Sequence, residues 1–434
     1  MRARLLAAAA QRGLQQDRLA KPAVFWHVPC GALSLKEGQK LMKRLALCTT
    51  AAMALSATGT LAAQNADEVN GADISLSLGS VYDTNRLRLE EGVAPPPGGS
   101  EDDLITSAEA SLDLSYKSGL QRVFLEGTAG YVWHRDNTFL DNEKIDLTAG
   151  LDWGLTSRCG GILSARVERR QTDLADLDAV VDNTRETETY TGTAGCYLRS
   201  NWYAEGGADY IESSNSNGAQ RTDDLEAFRF GGKLEYSPNE TSTYGLSYSD
   251  TDIDYPNLGA PTVDIVVIEA TAKRRFGNSL KLDAALGHSD AEPGNGPLTP
   301  DFAGATGHLA AELNPSSRLS VSSAYNRGIG YSSDVSADFF LRDRIAVAAN
   351  FEVTPIIGAE ISARRIERDF YSNLNFRPLV RSYDETDAVR GAIHYRLRKQ
   401  LKVTAGVEHL ERETDGPRGT YDSTQIFVSL GVTR

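Results

Sequence analysis

The chain has 434 residues, with 45 Lys/Arg against 59 Asp/Glu, 39 Gly, 17 Tyr and only 3 Met. That length admits two or three ordinary domains or one large β structure, and the composition leans to strands and turns. A formal charge of −14 makes nucleic acid a poor partner. The mean hydropathy of −0.34, with no long apolar run beyond the N-terminal region, excludes a spanning helix there but not a membrane barrel, in which every second strand residue faces lipid.

Residues 42–63 read as a secretory signal: Lys43 and Arg44 form its charged start, Leu45 to about Leu61 its apolar core, and small residues close it. Residues 1–41, with Pro22, Pro29 and mixed charges, are expected to be a mis-annotated leader preceding a true start at Met42. Residues 64–71 are a short linker, and 72–434 form the folded part. Setting aside the nine Lys/Arg and two Asp/Glu before Gln64 leaves 36 basic and 57 acidic residues, a net charge of −21.

From residue 72 the sequence repeats one pattern, an alternating stretch and then a turn. Ile145, Leu147, Ala149, Leu151 and Trp153 alternate with Asp146, Thr148, Gly150 and Asp152, giving one apolar and one polar face at period two. Such stretches predict about eighteen strands, near 72–82, 104–117, 120–134, 142–156, 158–171, 185–199, 201–212, 224–237, 239–252, 261–276, 278–290, 302–314, 316–330, 337–352, 354–368, 384–398, 400–412 and 420–434. Short turns fall at 117–119, 156–157, 200–201, 238–239, 277–278, 314–316, 354–355 and 399–400. Longer polar loops fall at 83–103, 172–184, 213–223, 253–260, 291–301, 369–383 and 413–419. Short turns on one side and long loops on the other predict an all-β, up-and-down antiparallel transmembrane barrel with its long loops outside. Tyr116, Trp153, Tyr197, Trp202, Tyr236, Phe276 and Tyr395 lie near the short turns, where an aromatic girdle belongs.

Cys159 and Cys196 sit almost symmetrically about the loop centred near residue 178, so a cross-strand disulfide competes with two small apolar wall residues. The predicted lumen face carries acids on the early strands, Glu109, Asp113, Asp146 and Asp152, with Arg166 and Arg170 beside them. Lys233 and Lys273 follow. The late strands are basic: Arg342, Arg344, Arg364, Arg390, Arg396 and Arg398. Such a field either orients a polar or anionic polymer in transit or is filled by mutual pairing. Acidic outer loops, among them Asp173, Asp176, Asp178 and Asp182, read as solubilising or as cation-bridged to lipid headgroups. His134–Asp136 and His288–Asp290 are the only rim pairs with catalytic residue types, and a solvated loop base is the commoner role. No catalytic residue, metal site or cofactor is expected.

Val81-Tyr82-Asp83-Thr84-Asn85-Arg86-Leu87-Arg88-Leu89 resembles the first-strand signature of the EpsL-type outer-membrane barrels encoded in exopolysaccharide operons, with Thr84 in place of the usual second Asp. Asp252-Ile253-Asp254-Tyr255-Pro256-Asn257 and Arg368-Asp369-Phe370 resemble later pieces of that family. The resemblance implies a Gram-negative outer-membrane barrel acting in exopolysaccharide export, a passive conduit rather than an enzyme. Its partners would be outer-membrane lipid and lipopolysaccharide, the polysaccharide, and periplasmic export components. A general porin for small polar solutes is the alternative, and a rim enzyme acting on polysaccharide or lipid the second. Independently of the resemblance, Asp83 and Asn85 are suited to closing the strand into its loop through side-chain-to-backbone hydrogen bonds.

Overall fold

The computed structural model describes residues 71–177, 179–293, 301–376 and 379–433. The expected leader, signal and linker, and Asp178, lie outside the described residues, save that Gly71 opens the first strand.

Eighteen antiparallel strands follow one another: β1 (Gly71–Asp83), β2 (Asp103–Ser118), β3 (Gln121–His134), β4 (Asn142–Gly154), β5 (Cys159–Gln171), β6 (Thr184–Arg199), β7 (Trp202–Asn215), β8 (Leu225–Asn239), β9 (Ser242–Asp254), β10 (Val263–Phe276), β11 (Leu280–Pro293), β12 (Phe302–Ser316), β13 (Leu319–Gly330), β14 (Phe339–Thr354), β15 (Ile357–Tyr371), β16 (Tyr383–Arg398), β17 (Leu401–Thr414) and β18 (Tyr421–Thr433). Each pairs with its neighbours in sequence, and β1 pairs with β18. The sheet is therefore closed and leaves no edge. The only helical pieces among the described residues are two 3₁₀ turns, Thr138–Leu140 and Gly218–Asp223.

The predicted architecture holds, with no strand end more than three residues from expectation. Two short turns fall later than their prolines suggested. The β8–β9 turn is at 240–241 and the β12–β13 turn at 317–318. Pro238 and Pro315 lie within register shifts, between Tyr236 and Asn239 and between Leu313 and Ser316, where the ladder does without a donor. The turns then start on a side-chain acceptor. Asn239 Oδ1 accepts from Thr241 N at 3.0 Å, and Ser316 Oγ from Leu319 N at 3.2 Å.

One face of every strand is the outer wall. Leu76 and Leu78 on β1, Leu246 on β9, Leu286 on β11, Ile361 on β15, Ile393 on β16 and Ile426 on β18 all stand exposed there, Leu246 at 62% and Leu286 at 72%. No protein covers this belt, and water would not stabilise so large an apolar surface, so it faces a membrane. Six of the seven expected girdle aromatics share this outer face by strand parity. Tyr197 is the exception: it pairs directly with Tyr203, whose hydroxyl donates to the lumen residue Glu205 at 2.7 Å. Trp133, Phe228 and Tyr82 mark the outer face at the opposite end.

The protein's apolar core lies at the long-loop end. Leu87, Leu89, Leu140, Leu174 and Leu177 form one cluster, and Tyr255, Ile253, Val263, Leu225 and Phe339 another. Val335 and Ala337 pack on Phe340 and Phe370. The loops thus fold over the mouth rather than standing away from it.

Candidate functional site: the lumen and its strapped mouth

Two loop segments cross the mouth. The first strap, 172–177, leaves β5, and its Asp176 reaches strands on the far wall. Arg368 of β15 donates to Asp176 Oδ1 at 2.6 Å. Arg412 of β17 lies 3.4 Å from the same oxygen and Arg381, from the β15–β16 loop, 3.9 Å. The wall carboxylate Asp384 of β16, fully buried, binds the same three arginines, with Arg368 Nε at 2.9 Å, Arg381 Nη1 at 3.3 Å, and Arg412. Burial alone would raise the Asp176 carboxyl, but Arg368 and Arg412 outweigh it and hold the group well below the usual carboxylate range.

The second strap, 331–338, leaves β13 and crosses the other way. Its Asp334 pairs with Arg185 of β6 and lies 3.5 Å from Arg170 of β5. Asn215 Nδ2 donates to Ser333 O at 3.0 Å, Ser213 and Ser333 share a hydrogen bond of 2.6 Å, and Tyr255 donates to Asp338 O at 2.6 Å. Burial pushes the Asp334 carboxyl up, and Arg185 and Arg170 only partly counter it. The straps are tied together, with Thr172 donating to Asp334 at 3.2 Å. This second strap was absent from the loops expected from sequence. Its eight residues, Tyr-Ser-Ser-Asp-Val-Ser-Ala-Asp, carry no length or charge signal that sets them apart.

Below the straps the lumen is open. One space of about 850 Å³ borders β10–β17, from the β8–β9 turn up to Arg344, Arg364 and Arg390. A second, of about 440 Å³, lies against β7–β13 and reaches up to Tyr331. Thirteen of the fourteen pore-lining residues inferred from the sequence fall on the face opposite the apolar belt, as strand parity and register place them; Arg398 is the exception, because a register shift after Arg396 sets it opposite Leu401, whose partner Val432 is in the belt.

The two sides of the lumen differ in how their charges are met. On the acidic arc, Arg122 donates to Asp152 at 2.6 Å, Arg166 binds Asp146 at 2.7 Å and Glu168 at 2.9 Å, Arg170 binds Glu168 at 2.7 Å, and Lys144 donates to Glu109 at 2.9 Å. Asp113 stands in register between Asp73 and Glu126, with no ion pair among the described residues. Lys233 meets Glu205 at 3.2 Å and Lys273 meets Asp283 at 3.5 Å. Pairing is therefore within a strand or between strands at most two apart, not across the lumen. On the basic arc Glu408 serves both Arg364 at 3.0 Å and Arg390 at 3.6 Å. Arg342, Arg344, Arg396 and Lys402 have no carboxylate partner among the described residues. The late strands thus present a file of uncompensated cations from the mouth toward the short-turn end.

The first-strand motif occupies the barrel's seam. Asp83 accepts from Asn85 N at 3.0 Å, from Ser423 Oγ at 2.6 Å and from Gln425 Nε2 at 3.0 Å, the last two on β18. Arg88 pairs with it at 3.0 Å. Asn85 bonds both ways with Leu89, at 2.8 and 2.9 Å, and donates to Asp422 O at 3.0 Å. Arg88 has φ +56°, the one positive value at a non-glycine among the described residues. Its left-handed turn lets the loop fold back, and Arg418 donates to the carbonyls of Leu87 and Arg88. The strand-closing role expected of Asp83 and Asn85 is present, and it also locks the first strand to the last.

Neither rim pair forms an acid–imidazole couple. His134 is buried, accepts from Arg86 Nε at 3.1 Å and has its Nδ1 3.5 Å from Asp141, not Asp136. His288 and Asp290 lie on the outer face of β11 by parity. Cys159 and Cys196 are direct cross-strand partners, Cα atoms 4.2 Å apart, and their sulfurs are joined in a disulfide.

No family model and no curated protein matches the chain. Among solved structures it is similar to Pseudomonas aeruginosa OccK2 (OpdF), with 11% identity over 83% of this chain and 98% of that one and a TM-score of 0.48. Acinetobacter baumannii OccAB4 shares 10% identity over 85% of this chain and all of its own, TM-score 0.45. The siderophore receptor PirA of P. aeruginosa shares 12% over 84% of this chain and 80% of its own, TM-score 0.41. Likeness at this level says nothing of what passes through the barrel.

Proposed function

We propose that the chain is an outer-membrane porin that passes small polar solutes and prefers anions. The observation that carries this reading is the file of cations without a carboxylate partner on the lumen face of β14–β17, Arg342, Arg344, Arg396 and Lys402, of which Arg344 borders a lumen space of about 850 Å³. On the early strands Glu109, Asp146, Asp152 and Glu168 are met by adjacent basic residues while Asp73, Asp113 and Glu126 are not, so the two arcs carry opposite fields and the basic one draws anions. An even strand number, a closed sheet, the outward apolar belt and the short-turn/long-loop asymmetry support placement in a Gram-negative outer membrane, among lipid and lipopolysaccharide.

The exopolysaccharide conduit implied by the first-strand resemblance uses the same barrel. It requires a mouth wide enough for a polymer, and two straps that meet at mid-mouth favour the smaller cargo. The motif behind that resemblance has a structural occupation at the seam, which leaves export by polysaccharide and periplasmic partners without a residue of its own. Liposome swelling distinguishes the two. A porin admits small sugars and sugar acids, the acids faster, and excludes a linear polysaccharide. Passage of the polymer without the small solutes would overturn the porin.

A further inference from the structure

Resting on the membrane placement above, we propose that a ring of cations round the short-turn end of the barrel binds the headgroups of anionic phospholipids in the leaflet it faces. Arg158, Arg199, Arg274, Arg318, Arg398 and Lys399 stand on the outer wall or in the turns at that end. All six are exposed, and none has a carboxylate partner among the described residues. Glu240 is the one acid among the described residues of the same turns and outward strand ends. The chain as a whole carries a formal charge of −14, so this rim runs counter to its composition. The outer wall at the other end has the opposite sign, with Asp252, Asp264 and Glu292 side by side on β9, β10 and β11.

Two of these arginines reach the outer wall because their strands are irregular at the end. Plain alternation from the lumen residues Tyr197 and Arg396 would turn Arg199 and Arg398 inward. A register shift in each strand instead sets Arg199 opposite Trp202 and Arg398 opposite Leu401, whose further partners Tyr236 and Val432 lie on the outer wall. The same re-aiming thus occurs on β6 and on β16, far apart round the barrel. Trp153, Trp202, Tyr236 and Phe276 stand among the cations, and the Arg274 guanidinium carbon lies 4.7 Å from the Phe276 ring centroid. Interfacial aromatics sit at headgroup level, and guanidiniums that reach past them meet lipid phosphate. The six cations lie next to β5, β6, β10, β13 and β16. A protein partner would cover one sector of the wall, whereas a lipid leaflet meets every sector, and only the leaflet matches a ring.

The test is tryptophan quenching of the folded full-length barrel in vesicles of equal parts phosphatidylcholine and phosphatidylglycerol, with bromine on the chains of one lipid or the other. Trp26→Phe and Trp133→Phe leave Trp153 and Trp202 as reporters, Trp202 directly opposite Arg199. At low salt, phosphatidylglycerol is expected to occupy the positions beside them at least about threefold more often than phosphatidylcholine, and the ratio is expected to fall towards one as salt rises. Arg158→Gln with Arg199→Gln, at exposed positions without ion pairs, is expected to bring the low-salt ratio close to one. A ratio near one with both arginines present, or one that their substitution leaves unchanged, would overturn the ring while leaving the barrel in its membrane. Quenching by neither lipid would overturn the membrane placement itself, and the ring with it.

Discussion

Replacing Asp83 with alanine should weaken the barrel more than any other single polar truncation at the seam. The carboxylate is fully buried and accepts from Asn85, Arg88, Ser423 and Gln425. Its loss leaves the Arg88 guanidinium buried without its counter-charge, and the positive φ at Arg88 without the contact that holds it. Breaking a buried pair from one side costs about 3–5 kcal/mol, much of it the stranded charge. Ser423 and Gln425 add bonds between β1 and β18, so the loss falls on closure of the sheet. Reversible urea unfolding in lipid vesicles measures it, and cold-SDS mobility reports whether the barrel closes. Removing Arg88 as well should recover part of the loss, giving a coupling of about 2 kcal/mol or more in the double-mutant cycle. A loss below about 1 kcal/mol for Asp83→Ala, with no coupling to Arg88, would refute the seam lock.

Other expectations follow from the same contacts. Asp176 is held below its ordinary value of 3.8, so its contribution to strap docking is complete above that pH and is lost only as pH falls further. Asp334 is raised, so acidification from neutrality tightens the second strap. Protease cleavage at the mouth should therefore not increase between pH 7 and about pH 4, and opening between pH 6 and 5 would contradict both signs. The disulfide closes a separation of 37 residues, and Cys159→Ser with Cys196→Ser should cost up to about 4 kcal/mol in the same urea assay. At Gly127, φ +150°, an added Cβ would come within 2.0 Å of Asp146 O, so Gly127→Val should sharply reduce the closed, cold-SDS-resistant form. In a deletion strain, exopolysaccharide in medium and periplasm should be unchanged, whereas polymer lost outside and trapped within would restore the conduit reading.

Strand number, order and faces were legible in the sequence because a pleated strand writes its two environments at period two. Leu147 beside Asp146 already separates lipid from lumen. The charged arcs were legible for the same reason. What was not legible is contact between elements distant in sequence. Nothing local marks Asp176 as the partner of Arg368 and Arg412, or Asp334 as that of Arg185, and so the acidic loop at 172–184 read as solubilising or cation-bridged. The second strap has the composition of an ordinary connection. His134 read as a rim base because its burial depends on Arg86 folding back from another loop. The prolines at 238 and 315 misplaced two turns because proline is tolerated in a bulge as well as in a turn.

The most direct measurement of the central claim is the reversal potential of single barrels in a planar bilayer under a KCl gradient. Discrete conductance steps with a potential of the sign that marks chloride preference, reduced or inverted by Arg342→Glu with Arg344→Glu, are what the unpaired basic file predicts. A barrel that conducts with cation preference, or one whose selectivity ignores those two arginines, would contradict it.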